Sequence, residues 1–152
     1  MAKRHRSLAL FIVLVVGIGW AVGATNLPGA WYAGLHKPPF NPPNWIFAPT
    51  WTVLYVMIAV AGWRTYLQDD ATALPMQLWL AQMILNLLWS PIFFTLHHMR
   101  FALAIILTLL AVIVSFFWVQ WHENRVAAAL FIPYAGWVAF ASILNYSLYR
   151  LN

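Results

Sequence analysis

Five long apolar runs organise the chain: Leu8–Ala24, Trp45–Tyr66, Leu74–Leu96, Phe101–Trp121 and Val126–Leu148. Runs of about 17 to 25 residues are long enough to cross a hydrocarbon core of roughly 30 Å as helices. Polar residues collect in the breaks. Asn26-Leu27-Pro28-Gly29 ends the first run, Gln68-Asp69-Asp70 the second, His97-His98-Met99-Arg100 the third and His122-Glu123-Asn124-Arg125 the fourth. The pattern predicts an all-α fold: an integral membrane bundle of five transmembrane helices in a single domain, 1–152. Pro75 suits a helix first turn. Pro91 and Pro133 fall inside runs, where neighbouring helices can satisfy the freed carbonyls, and kinks are expected there. The opening MAKRHRS with its apolar run also fits a secretory leader cut weakly after Ala21-x-Gly23. Its direct continuation into an unusual connection favours a first span.

That connection reads WYAGLHKPPFNPPNWIFAPTW from Trp31 to Trp51 and holds five of the nine prolines. Each proline fixes its own φ, removes a donor and pushes the preceding residue toward extended backbone. Ordinary linkers are flexible and polar. This one is stiff and aromatic, so a non-helical segment over residues 25–44 is expected, held at the membrane surface.

Composition supports the membrane reading. The 152 residues are 64% hydrophobic and 7% charged, with mean hydropathy +0.76, whereas soluble domains average about 25% charged. Absence of cysteine excludes disulfides, thiolate metal sites and cysteine nucleophiles. The net charge of +5 does not indicate nucleic acid, because the basic residues are scattered at span ends rather than gathered on one face. An odd span number puts the termini on opposite sides. Lys3, Arg4, Arg6, Arg64 and Arg125 share the N-terminal side, and Lys37, Arg100 and Arg150 the other. That imbalance favours a cytoplasmic N-terminus.

No acid or base lies in a span interior, which argues against ion-coupled transport. Neither paired carboxylates, a Ser-His-Asp set nor a glycine-rich phosphate loop is present. The intramembrane polar groups are neutral. Gln82, Asn86 and Ser90 recur every fourth residue on the third run, with Trp79, Met83 and Trp89 alongside. This stripe suits either interhelical hydrogen bonding or a cavity wall offering a few polar groups to an apolar ligand. On the fifth run Tyr134, Trp137, Ala141 and Leu144 share a face, and Ala135, Gly136, Ala139 and Ala141 permit close approach. Leu144, Tyr146 and Arg150 match a loose sterol pattern. Gly19-x-x-x-Gly23 matches a close-packing motif, used within the chain or in a dimer. His36, His97, His98 and Arg100 are solvated interfacial residues or a cationic rim suited to an apolar molecule with carboxylates. Adjacent His97 and His98 make a poor chelating pair, and no metal site is expected. Trp20, Trp63, Trp118 and Trp121 fit interfacial belt positions. Trp31, Trp45, Trp51, Trp89 and Trp137 group around the connection and the stripe.

Three segments, WYAGLHKPPFNPPNWIFAPTWTVLY, LNLLWSPIFF and FIPYAGWVAFASILNYSLYRLN, together resemble the tryptophan-rich sensory protein/translocator protein (TspO) family, also called the peripheral-type benzodiazepine receptor. The resemblance runs from the first span to Arg150. It implies a five-helix bundle, commonly a homodimer in a lipid bilayer, whose first loop folds as a lid over a pocket among the helices. It implies a multi-pass protein of a bacterial membrane that binds protoporphyrin IX, haem, sterols or benzodiazepine-type ligands, without an obligatory cofactor, as sensor, scavenger or transport mediator. By the same resemblance Trp31, Tyr32, Trp51, Asn86, Trp89, Trp137 and Ala141 line the pocket, and Leu144, Tyr146 and Arg150 carry the sterol pattern. An alternative it implies is light-dependent porphyrin breakdown through Trp51 and Trp137. Phe40 stands where the family often has tryptophan, and phenylalanine can stack but cannot donate a hydrogen bond.

Overall fold

The structure, a computed structural model, describes residues 2–69 and 72–152, with side chains from Arg6 onward. Asp70 in the second break and the side chains of Lys3 and Arg4 lie outside the described residues. Among the described residues six α-helices follow one another: α1 (Ala2–Thr25), α2 (Ala30–Gly34), α3 (Phe47–Gln68), α4 (Leu74–Ser90), α5 (Met99–Glu123) and α6 (Arg125–Leu151). Five are long and apolar enough to cross a membrane: Arg6–Thr25, Asn44–Gln68, Leu74–Thr95, Met99–Glu123 and Arg125–Leu151. The five runs legible in the sequence are these helices.

The loop corrects one expectation. It contains a helical turn, α2, which carries Trp31 and Tyr32, and a 3₁₀ turn at Asn44–Ile46. Residues 30–34 precede the first Pro-Pro pair, so nothing there forbids intrahelical hydrogen bonds. The helical turn ends at Leu35, extended with ψ of 144°, and the residue that a proline restricts directly is Lys37, before Pro38. The two internal prolines behave differently. At Pro91 the α4 ladder widens into a π turn, Pro91–Thr95, one of the recognised ways a helix absorbs a missing donor. Pro133 lies inside α6, which continues through it.

Helix packing is uneven. α1 packs on α3, α3 on α6, α6 on α5 and α5 on α4, while α4 closes back onto α3 and α1 through thinner contacts. The core fills the first four seams with Ile58, Leu109, Ile113, Phe116, Phe131 and Tyr134 among its fully buried residues. Two glycines set the α1–α3–α4 spacing. A Cβ on Gly19 would run into the Tyr55 ring, and one on Gly62 into the Trp79 indole. Gly19 therefore admits a neighbour of its own chain, while Gly23 faces open space. Trp79 donates to the Ile58 carbonyl at 2.9 Å, which fixes the ring in the slot Gly62 leaves. Trp63, expected in the interfacial belt, is instead buried at 9% exposure. Its indole N–H donates to Ser7 Oγ at 3.0 Å, so the polar tip needs no water. Trp20, Trp118 and Trp121 are exposed as belt positions require.

At the N-terminal end of the bundle, polar side chains join three helices. Arg64 Nε donates to Asn124 Oδ1 (3.1 Å), Asn124 Nδ2 to Gln68 Oε1 (2.8 Å) and Gln68 Nε2 to the Glu123 carbonyl (3.0 Å). Asn124 also caps α6 through the Ala127 N–H. Gly62→Ala should force the Trp79 ring out of its slot. An overpacking cost of about 1–3 kcal/mol is expected, read as a lower midpoint of thermal unfolding in detergent. Gly136→Ala, with open space around it, should leave the midpoint unchanged or raise it.

Candidate ligand cavity

The thin seam between α1, α3 and α4 encloses a cavity of about 310 Å³. Trp51, Tyr55 and Phe47 from α3, Asn86, Trp89 and Ser90 from α4, and Gly19, Trp20 and Gly23 from α1 line it. Leu27, Pro28 and Asn44 form its mouth, and Phe94 of the π turn closes one side. No charged side chain contributes to the lining. A second space, about 770 Å³ and open on one side, follows the groove between α3 and α6. Trp137, Phe140, Gly136 and Pro133 line it opposite Pro42, Pro49 and Val53.

The polar stripe of α4 resolves into a buried chain of hydrogen bonds. Tyr55 donates to Asn86 Oδ1 at 2.9 Å, Asn86 Nδ2 to the Tyr134 hydroxyl at 2.7 Å, and Tyr134 to Gln82 Oε1 at 2.9 Å. Three helices are thereby tied together, and Asn86 and Tyr55 still reach the cavity wall. Asn86 thus makes the interhelical hydrogen bonds expected of the stripe and also stands in a cavity wall. Trp89 donates to Asn145 Oδ1 at 3.1 Å, and Asn145 donates in turn to the Met99 carbonyl at 3.1 Å. Trp51 stacks on Tyr55, with centroids 5.5 Å apart, and meets Tyr134 edge-on at 6.4 Å.

The residues expected around a single pocket are divided. Trp51, Asn86 and Trp89 come together. Trp137 lines the other groove, with the Phe47 ring edge-on to it at 5.9 Å. Trp31 and Tyr32 line neither space. Trp31 stacks on His97 at 4.0 Å and meets Phe93 edge-on. Tyr32 is buried at 2% exposure against Phe93 and Phe94. Its hydroxyl donates to Asn41 Oδ1 at 2.9 Å, and burial pushes its pKa up, so it stays a neutral donor. Ala141 is buried in the main core. Of the sterol-pattern residues, Leu144 packs inward beside Ile92 and Phe93, whereas Tyr146 and Arg150, four residues apart, are exposed. Tyr146 and Arg150, one turn apart, share an outward face, and Leu144, two residues before Tyr146, falls on another. Phe40 meets Phe140 edge-on at 6.4 Å.

The lid is thus docked on the π turn and the end of α6. A side-chain clamp holds it there: the His36 N–H donates to Asn152 Oδ1 at 2.9 Å, and Asn152 Nδ2 donates to the His36 carbonyl at 3.0 Å. Lys37 Nζ bonds the Ala33 and Leu35 carbonyls and sits 4.9 Å over the Tyr32 ring. His97 adopts a positive φ of 58°, uncommon for residues other than glycine although histidine is among those that adopt it more readily. Sequence reasoning did not single out Tyr55, Phe47, Asn145 or Asn152. For Tyr55 a signal existed, since it lies one helical turn after Trp51 and shares its face; the roles of Phe47 and Asn152 arise only from packing across the chain.

A family model described as the TspO/MBR family matches residues 10–150. The chain belongs to the TspO/MBR family. Among its relatives, Protein CrtK of Rhodobacter capsulatus is 36% identical over 151 residues, covering 96% of this chain and 94% of that protein. Tryptophan-rich protein TspO of Archaeoglobus fulgidus is 36% identical over 148 residues, covering 95% and 94%. The translocator protein of Sus scrofa is 34% identical over 152 residues, covering 95% and 89%. Family membership and the five apolar helices make this a multi-pass integral membrane protein.

Asn152→Ala removes both bonds to His36. Amide hydrogen exchange at residues 35–37 should accelerate by about tenfold or more, the equivalent of roughly 1.4 kcal/mol of lost local protection. Exchange in the middle of α3 should not change. Asn152→Asp, which keeps the acceptor for the His36 N–H, should fall between.

Proposed function

We propose that this TspO/MBR protein binds flat, largely apolar molecules that carry polar groups at an edge, with tetrapyrroles such as protoporphyrin IX or haem as the leading class and sterols or benzodiazepine-type ligands as further candidates. It acts as sensor, scavenger or transport mediator rather than through chemistry of its own. The observation that carries this reading is the uncharged, aromatic-walled cavity with Asn86 and Tyr55 in its wall. Small-molecule sites are mostly apolar with a few convergent polar groups. Trp51 and Trp89 supply faces for stacking. Ionised carboxylates do not suit the uncharged interior, because burying an unpaired charge is costly. They suit the lid end, where Lys37, Arg100 and Arg150 gather with His36, His97 and His98, and where the sequence places no acid.

A cytoplasmic N-terminus in a bacterial membrane belongs to the same reading. So does a homodimer, for which Gly19 is not free because it receives Tyr55. Light-dependent porphyrin breakdown through Trp51 and Trp137 is the alternative reading; in this structure the two line different spaces.

Titration of the protein in lipid nanodiscs with protoporphyrin IX should quench tryptophan fluorescence saturably. Trp51→Phe and Asn86→Ala should each weaken binding by about three- to tenfold, the equivalent of roughly 0.6–1.4 kcal/mol. Unchanged affinity in both variants would place the ligand elsewhere.

A further inference from the structure

Two spaces flank the first turns of α3, and Phe47 touches both linings. Its ring lines the inner cavity and meets the indole of Trp137, which lines the outer groove, at a centroid distance of 5.9 Å and an angle of 72°. Neither space alone suits a flat macrocycle. The inner one, about 310 Å³, is at the small end of ligand sites, and the groove is open on one side, whereas such sites enclose most of the ligand surface. Phe47 itself is half-buried. The donor of Trp137 is also unsatisfied: its Nε1 is buried with no partner, although buried indole N–H groups usually find one.

We propose that Phe47 is a movable partition, and that turning its side chain merges the two spaces into one slot where a tetrapyrrole lies against Trp51 on one side and Trp137 on the other. The ligand then meets the Trp137 N–H with an acceptor of its own, and the open side of the groove is the side from which a bilayer-dissolved molecule enters. The inference rests on the tetrapyrrole reading above and adds to it a specificity residue. Ligands small enough for the inner cavity do not need Phe47 to move. A macrocycle does, so position 47 decides the size of what is bound.

The test uses the full chain in nanodiscs and the visible absorption of added protoporphyrin IX. Phe47→Ala removes the partition and should tighten binding by about threefold or more. Phe47→Trp enlarges it and should weaken binding by about tenfold. Phe47→Leu, which keeps an apolar side chain at the α3 start, should fall between the wild type and Phe47→Ala, and guards against loss of fold. Trp137→Phe should weaken binding in the wild-type background but have no further effect with Phe47→Trp, a coupling that a purely structural role would not produce. If all three Phe47 variants stay within about twofold of wild type while Trp51→Phe still weakens binding, the partition is overturned and the cavity assignment stands. If neither wild type nor Phe47→Ala binds protoporphyrin IX, both are overturned. Binding by Phe47→Ala alone supports a partition that is shut in the wild type.

Discussion

The buried chain Tyr55–Asn86–Tyr134–Gln82 is the interaction on which the rest of this bundle depends. Inside a bilayer no water is present to satisfy a stray amide or hydroxyl, so each polar group must find a partner within the protein. Between helices already surrounded by apolar lipid, apolar burial gives little drive to associate. Close packing and hydrogen bonds must supply it. Here one asparagine on α4 serves a tyrosine on α3 and another on α6. The cost of leaving any of them unpaired holds three helices in register.

That register explains why there is a cavity at all. With α3, α5 and α6 packed tightly around Phe116, Phe131 and Tyr134, α4 cannot also close fully on α1. Gly19 lets Tyr55 press against α1 deeper in the bundle, and Gly62 admits Trp79 further toward the N-terminal end. Beyond Tyr55 the seam widens into the space under Leu27 and Pro28. The same residue that anchors the packing, Tyr55, forms the cavity wall and backs Trp51 through a stacked contact. Substitutions that weaken the site are therefore expected to register in stability too, and the two effects separate only at residues such as Phe47 and Asn152, which touch the space or the lid without joining the buried chain.

The lid belongs to a different part of the molecule than its position in the sequence suggests. Trp31 and Tyr32 pack on Phe93, Phe94 and His97 instead of lining the cavity, and the π turn at Pro91 creates the surface they dock on. A proline that merely interrupts a helix in the sequence thus prepares a platform in the fold. Asn152 then holds the loop by its backbone. Such a clamp reads no side-chain identity at His36, and so leaves no motif by which sequence comparison within one chain could find it.

The sequence by itself determined the five spans, their breaks, the neutrality of the interior and the polar stripe of Gln82, Asn86 and Ser90. These follow from hydropathy and from a period of 3.6 residues, both of which are local properties of the chain. It also carried the family, through three separated motifs. The tertiary structure was needed to show that Trp51 and Trp137 line different spaces, that Trp31 and Tyr32 pack on the π turn, that Trp63 is buried against Ser7, and that Gly19 receives Tyr55. The reason is rotational. A helix shows which residues share a face, but how far each helix turns about its axis is set by the closest contacts with its neighbours. Here those contacts are made by glycines, ring edges and paired amides far apart in sequence.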